Sequence, residues 1–431
     1  MSSAARPLAL RVLAALRRGR GTLADALATD EIERLDARER AFLHELVLGT
    51  LRRRGWLDHV VAGLSARPGS RAKPAVRDVL RLGVYQLLFL RVPAHAAVSE
   101  SVALARAADP RGGAAGFVNA VLRRLERQGP PPEPDPARDP LRWMTSAGSL
   151  PPWLAERWLA RLGPEAAVAR ARALLEAPPT FLRFNPRAGH ARQSAREAGL
   201  VVHATAVPDV WEATAGPLVE LAARGLIYVQ DLGSQVVARL AASPGTVLDA
   251  CAAPGGKALL VADAVAPEGR VVAAEVAPRR LRTLAALQAR WGADNLLVVG
   301  ADGLHPPFHR PFDTVLVDAP CSGLGTLARH PDIRWRLGPE DVERHARRQR
   351  ALLDALLPLV RPGGRLVYAT CSVEDEENEG VLQPFLADHP ELRPEELPPW
   401  AQRFAAGPFL KMSPARDRGD AFFAARLRRW G

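Results

Sequence analysis

Apolar positions along the chain change their period twice, and each change predicts a change of architecture. Up to residue 128 they recur at helical spacing, as Leu43, Leu46, Val47, Thr50 and Leu51, then as Val76, Val79, Leu80, Val84, Leu87 and Leu88, then as Phe117, Val118, Val121, Leu122 and Leu125. Apolar residues three and four apart share one helix face, so residues 1–128 are expected to be all-helical with these stripes as core. Residues 129–140 hold six prolines. Proline denies a helix or a central strand its hydrogen bonds, so this stretch is expected to be a linker. Pro151 and Pro152 open a second helical stretch, with Trp153, Leu154, Trp158, Leu159 and Leu162 on its apolar face, expected to run through Leu175.

Between Thr180 and Leu226 the pieces shorten. Phe181 to Phe184 and Val201 to His203 suit strands and Ala191 to Ala198 a polar helix, which predicts a small α/β module with Arg183, Arg187 and Arg192 exposed. From Tyr228 onward apolar runs that break into turns alternate with helical stretches, the pattern of a doubly wound parallel sheet. Strands are expected at 246–250, 271–275, 296–299, 314–318 and 364–370, helices at 257–265, 278–291, 339–359 and 376–386, and a last antiparallel strand at 421–428. The segments are therefore 1–128, 129–140, 141–227 and 228–431.

Composition narrows the class. With 431 residues, 48% of them hydrophobic, the chain can bury the cores of two to four domains. Its longest apolar runs fall short of the roughly 18 residues that span a bilayer. The Leu8 to Leu16 run is interrupted by Arg11 and followed by Arg17 and Arg18, so neither a signal peptide nor a membrane segment is expected. Three widely separated cysteines without a Cys-x-x-Cys pair point away from a disulfide framework or a zinc site and towards a reducing cytoplasm. A net charge of +11 suits a polyanionic partner as readily as a solvated basic surface. Arg38, Arg40, Arg52, Arg53, Arg54, Arg123, Arg124 and Arg127 supply much of that basic exterior in the helical segment. Only Lys73, Lys257 and Lys411 among the 58 basic residues are lysines, and Lys257 lies in a glycine-rich turn.

That turn belongs to Val247 to Lys257, a strand, a glycine turn and a helix start, which lets backbone N–H groups approach a ligand. A phosphate loop needs Gly-x-x-x-x-Gly-Lys-Ser/Thr, but Cys251 stands at the first glycine and Ala258 at the hydroxyl position. The dinucleotide pattern Gly-x-Gly-x-x-Gly is absent as well. Glu275 ends the next strand, where a carboxylate can accept from a ribose diol, and Asp302 follows a third, where it can accept from an adenine amino group. Together they outline a nucleoside site without a phosphate site, which suits S-adenosyl-L-methionine.

Two thiols complete the pattern. Cys321 follows Asp318-Ala319-Pro320, and Cys371 follows Tyr368-Ala369-Thr370 at the end of the next strand, so both are expected to face one crevice. A lone cysteine is ordinarily a small buried hydrophobe, whereas two at neighbouring strand ends favour chemistry. Methylation of a pyrimidine C5 accounts for such a pair: a thiolate adds to C6, which makes C5 nucleophilic, and after transfer the C5 proton and the thiolate must leave. Asp318 is placed to bond the cytosine N3 and amino edge, and Lys257 to lower the pKa of a neighbouring thiol. The acidic run Glu374 to Glu379 suits a helix N-terminus, with Ser372 and Asp375 in capping-box spacing, better than a metal site, and no metal is expected.

Several phrases resemble known families. Arg38 to Arg53, Leu80 to Leu90 and Gly116 to Arg124 resemble the NusB-like RNA-binding domain, and Phe181 to Pro186 is similar to the start of the small RNA-binding module of RNA cytosine-C5 methyltransferases. Gln230 to Gln235, Asp249 to Lys257, Asp318 to Gly325, Arg329 to Trp335, Ala369 to Ser372 and Gly419 to Ala424 are similar to the catalytic domain of bacterial RNA (cytosine-5) methyltransferases of the Fmu/Sun/NOL1 type. The resemblance implies a multidomain protein: an all-α NusB-like domain, a small α/β RNA-binding module and a C-terminal α/β Rossmann-like class I methyltransferase. It implies a cofactor site for S-adenosyl-L-methionine at Cys251, Ala252, Ala253, Pro254, Gly255, Gly256, Lys257, Glu275, Asp302 and Asp318. It implies Cys371 as nucleophile and Cys321 as the thiol assisting release, with Asp318 and Lys257 beside them.

The partner so implied is RNA, 16S rRNA free of or before full ribosome assembly, met by a cytoplasmic monomer with no DNA or membrane partner. Two departures are visible: Glu275 stands where many relatives carry aspartate, and Asp420-Ala421 alters the closing phrase. Two alternatives remain open at this point. One is a tRNA or 23S rRNA methyltransferase with the same core. The other is a non-catalytic RNA-binding assembly or antitermination factor, which the intact set Cys321, Cys371, Asp318 and Lys257 disfavours.

Overall fold

The structure is a computed structural model that describes residues 3–19, 21–65, 72–110 and 112–430. The chain forms two compact units, Met1–Ala177 with Leu327–Gly338, and Pro178–Thr326 with Pro339–Gly431. No described helix is long and apolar enough to cross a membrane.

The first unit is helical. Its principal helices are Ala5–Arg17, Ala37–Arg52, Arg54–Leu64, Pro74–Phe89, Ala94–Ala108 and Ala114–Gln128. Each of the three stripes buries its central residues, among them Leu43, Leu46, Val47, Val79, Leu80, Val84, Val118, Val121 and Leu122. Local chemistry sets the starts: the Asp36 side chain accepts from the Glu39 N–H, and Pro74 occupies a first-turn position where its missing N–H costs nothing. The stretch expected to be one helix through Leu175 is two, Pro152–Leu162 and Pro164–Ala173. Gly163 between them has φ of +75°, a left-handed conformation that ends the first helix, and Pro164 starts the second.

Leu327–Gly338 belongs to this unit although both flanking stretches of chain belong to the other. Arg334 is fully buried there; its Nη1 donates to the Ser149 carbonyl at 3.1 Å and its Nη2 to that of Leu327 at 2.9 Å. Trp335 Nε1 donates to the Leu51 carbonyl at 2.8 Å and Arg52 Nη2 to that of Ala328 at 2.9 Å. Burial pushes the Arg334 guanidinium down to about 9. Arg54, expected as plain exterior charge, stacks over the Trp335 ring, and burial lowers it to about 10.

The second unit begins with a small antiparallel sheet of β1 (Thr180–Phe184), β2 (Val201–Ala204), β3 (Trp211–Ala215) and β4 (Ile227–Val229), in the order β2-β3-β1-β4. Two of the three arginines expected at its surface are not there. Arg183 is buried; its Nη1 donates to Asp263 at 2.7 Å and its guanidinium lies over the Trp291 ring. Arg187 Nε donates to the other Asp263 oxygen at 2.7 Å and Nη2 to Asn295 at 2.6 Å. Asp263 lies on the helix Gly256–Val265, so these ion pairs tie the small module to the larger sheet's helical layer. Only Arg192 has a mostly exposed side chain, at 62%. Strand alternation reports which residues share a face but not which face another layer covers.

The larger sheet contains β5 (Thr246–Asp249), β6 (Arg270–Glu275), β7 (Leu296–Gly300), β8 (Phe312–Asp318), β9 (Val360–Thr370), β10 (Leu392–Pro394), β11 (Ala405–Ala406), β12 (Phe409–Lys411) and β13 (Phe423–Arg429). Their order is β11-β12-β13-β9-β8-β5-β6-β7, with β10 against β13. The pairs from β7 across to β9 are parallel, and β13 runs antiparallel to β9 with Phe423 opposite Thr370. Successive residues such as Val247 and Leu248, or Val315 and Leu316, fall into different core clusters, one on each face. Burial on both faces explains why these strands read as continuous apolar runs. The helix expected at 339–359 is α-helical to Leu356 and finishes as a 3-10 turn, while β9 begins four residues earlier than expected, at Val360. Chain order reverses between β5 and β8, which opens a crevice at their carboxyl ends.

Candidate active site

Each strand delivers its terminal residues to that crevice. β5 ends in Asp249, and the turn Cys251–Gly256 leads into the helix carrying Lys257. Within the turn, Gly255 has φ of +117°, and a Cβ there would lie 2.5 Å from Leu284, so only glycine fits. β6 ends in Glu275, β7 is followed by Asp302, β8 ends in Asp318 and β9 is followed by Cys371. A pocket of about 270 Å³ is lined by Cys251, Ala253, Glu275, Asp302, Asp318, Cys321 and Cys371, together with Arg280 and Arg348. The remaining turn residues expected in the cofactor site stand behind or beside this wall: Ala252, Gly255 and Gly256 are buried, Pro254 is exposed, and the Lys257 ammonium reaches Asp318.

The thiols of Cys321 and Cys371 lie 3.1 Å apart. Their contact is supported by backbone: the Gly325 N–H donates to the Cys371 carbonyl at 2.9 Å, and a side chain at Gly325 would collide with the carbonyls of Cys371 and Ala421. The hydrogen bond with Cys371, then burial, pushes the Cys321 thiol well up. Burial likewise pushes Cys251 up. Lys257 Nζ donates to Asp318 Oδ2 at 2.8 Å. Burial opposes that ammonium, but Asp318 outweighs it and holds the Lys257 pKa above its ordinary value. The expectation that Lys257 lowers a neighbouring thiol is not met at Cys251, which burial raises, or at Cys321, which the hydrogen bond with Cys371 and burial raise. Asp249 is fully buried, and burial followed by repulsion from Asp318 raises its carboxyl to about 7.

Among residues with no assigned role, Glu377 stands out. The sequence places it at a helix N-terminus, whereas it is fully buried in the 3-10 turn Asp375–Glu377, and the following helix is Glu379–Asp388. Nor does Ser372 cap Asp375: its Oγ accepts from the Glu374 N–H at 3.1 Å. A run of five acids and an asparagine gives no local sign of which one turns inward.

Relatives place these features. A family model described as 16S rRNA methyltransferase RsmB/F matches residues 239–428, and the NusB family model matches residues 3–127. The ribosomal RNA small subunit methyltransferase B of Sodalis glossinidius is 36% identical over 91% of this chain and 90% of its own. The chain belongs to the RsmB/F methyltransferase family. A Mycobacterium tuberculosis protein carrying a methyltransferase name is 39% identical over 92% of this chain and 90% of its own. The crystal structure of PH0851 superposes with a TM-score of 0.78 at 25% identity, covering 98% of this chain and 99% of that one.

As an RsmB/F member with a NusB domain, the protein is an S-adenosylmethionine-dependent RNA methyltransferase. The pocket's donor set fits that cofactor. Three carboxylates, Glu275, Asp302 and Asp318, line a space without a phosphate loop, which offers acceptors to the hydroxyl and amino groups of a nucleoside and negative charge to a sulfonium. Glu275 accepts from the Ala277 N–H at 2.9 Å, and Asp302 from that of Leu304 at 3.0 Å.

Proposed function

We propose that the protein methylates C5 of a cytosine in 16S rRNA, with Cys371 as nucleophile and Cys321 assisting release. The contact of the two thiols beside the acidic pocket carries this reading. Transfer to an RNA nitrogen or ribose oxygen needs no thiol, whereas C5 of a pyrimidine needs one to become nucleophilic. The cytosine leaves its stack to enter the crevice, which favours a loop or an opened helix, and so RNA not yet enclosed in the assembled subunit. The enzyme acts there as a cytoplasmic monomer.

The Cys371 thiolate adds to C6, placing an electron pair at C5. S-adenosylmethionine supplies the electrophilic methyl group. Asp318 accepts from the amino edge of the base and is itself fixed by Lys257 at 2.8 Å. A base then takes the C5 proton, the C5–H electron pair re-forms the C5=C6 bond, and the Cys371–C6 bond breaks with its electron pair returning to sulfur. Cys321, in contact with Cys371, is the neighbouring thiol at that step.

Incubation with tritiated S-adenosylmethionine and deproteinised small-subunit RNA, followed by mapping of the label, tests this. Label on a cytosine C5 of 16S rRNA is expected. Label confined to tRNA or 23S rRNA overturns the substrate, and no label on any RNA overturns the reaction.

A further inference from the structure

We infer that Glu377 is the positioning residue that sets the spacing of the two thiols. The inference rests on the proposed two-thiol reaction for its functional consequence, but its geometry stands on contacts that need no RNA.

Four donors converge on one buried carboxylate. Glu377 Oε1 accepts from the Ser322 N–H at 2.7 Å and from Gln349 Nε2 at 3.1 Å. Its Oε2 accepts from Ser322 Oγ at 2.5 Å and from Ser372 Oγ. Ser322 directly follows Cys321, and Ser372 directly follows Cys371. One carboxylate therefore holds both cysteine loops.

The clamp closes on the other side of each cysteine as well. Gln349, which touches Glu377, also donates to the carbonyl of Pro320, the residue before Cys321, at 3.1 Å. Thr370, the residue before Cys371, donates from Oγ1 to Asn378 Oδ1 at 2.6 Å, and Asn378 Nδ2 returns to the Ser372 carbonyl at 3.2 Å. Asn378 is the chain neighbour of Glu377, whose own carbonyl accepts from the Tyr368 hydroxyl at 2.5 Å. Tyr368 lies on β9 and Gln349 on the helix Pro339–Leu356, both rigid elements of the sheet's layers.

The consequence is mechanical. A carboxylate has lone pairs for about four such bonds, and here all four are used. Networks of this kind, buried and fully satisfied, specify one arrangement of the groups they join. Neither cysteine loop is part of a strand, and apart from this anchor they are joined by the Gly325 N–H donating to the Cys371 carbonyl at 2.9 Å and by the Ser322 and Ser372 hydroxyls at 3.2 Å. Loss of the carboxylate therefore removes the largest set of bonds between them and loosens the 3.1 Å approach of the thiols. A reaction whose attack and release use different thiols at one carbon is sensitive to that loosening.

The spacing can be read directly. With diamide as oxidant, two touching thiols form a disulfide, giving up two protons and two electrons to the reagent, and the Cys321–Cys371 linkage is followed by peptide mass spectrometry. In the RNA-free enzyme, Glu377→Ala is expected to slow this linkage at least tenfold, and Glu377→Gln, whose amide can donate to both serine hydroxyls, to restore most of it. Methyl transfer is expected to follow the same order, with kcat falling and KM for RNA changed less than twofold. Ser372→Ala removes one of the four donors and covers the case in which Glu377→Ala does not fold. A linkage rate within twofold of wild type in a folded Glu377→Ala or Ser372→Ala variant overturns the inference, whatever happens to turnover. A slowed linkage in a protein that labels no RNA supports the clamp and removes the two-thiol reaction instead.

Discussion

Replacing Lys257 by methionine isolates the Lys257–Asp318 pair, because the side-chain volume is kept and only the charge is lost. The ammonium lies 2.8 Å from Asp318 Oδ2, with side-chain exposures of 13% and 26%. Removing one member of a buried pair leaves the other charge desolvated, at a cost of about 3–5 kcal/mol. Water reaches about a quarter of Asp318, so the lower end, about 3 kcal/mol, is expected. Asp318 also repels Asp249, and that repulsion loses its counter-charge in the variant.

For turnover, the loss of one aligned polar group at a reacting centre corresponds to about a 10²–10³-fold fall in kcat. The sign of the pH effect follows from the direction of the Lys257 shift. Its folded-state pKa lies above the ordinary 10.5, so the pair's stabilisation is complete below that pH and is lost as pH rises through the folded value. Denaturant unfolding from neutral pH to about pH 11.5, with single-turnover methyl transfer in parallel, checks each part. A Lys257→Met protein within about 1 kcal/mol of wild type and with unchanged kcat would refute the reasoning, since that is the range of a substitution outside any buried network.

Further outcomes concern the thiols, the buried acid and the turn. Cys371→Ala is expected to abolish methyl transfer, whereas Cys321→Ala accumulates a covalent RNA adduct visible on a denaturing gel; an adduct formed by Cys371→Ala instead reverses the two roles. Asp249, raised from 3.8 to about 7, binds its proton more tightly in the folded state, so its contribution weakens stability as pH rises from 4 towards 7. Asp249→Asn is therefore expected to gain stability relative to wild type across that window, and parallel pH profiles of the two proteins would exclude the shift. Gly255→Ala, forced to φ of +117° and against Leu284, is expected to lose about 1–3 kcal/mol and to bind S-adenosylmethionine more weakly by calorimetry. Unaltered affinity and stability would mean that the turn adapts.

What the sequence by itself determined is what depends on neighbours along the chain. Continuous apolar runs ending in polar residues located the parallel strands, and chain continuity placed Glu275, Asp318 and Cys371 at their carboxyl ends. The glycine turn was legible because φ of +117° at Gly255 admits no other residue. Helical stripes marked the first unit for the same reason. Their limit was Gly163, a single residue whose left-handed conformation divides one expected helix into two.

The tertiary structure alone decided which charged residues turn inward. Burying a charge is favourable only when partners meet it, and those partners lie far away in sequence. Glu377 finds Ser322 55 residues earlier and Gln349 28 residues earlier. Arg183 finds Asp263 80 residues on, and Arg334 finds the Ser149 carbonyl across 185 residues. Nothing within a few positions of these side chains distinguishes them from solvated neighbours. The same physics assigned Leu327–Gly338 to the helical unit, through an arginine and a tryptophan that hydrogen-bond to backbone carbonyls no local pattern could supply.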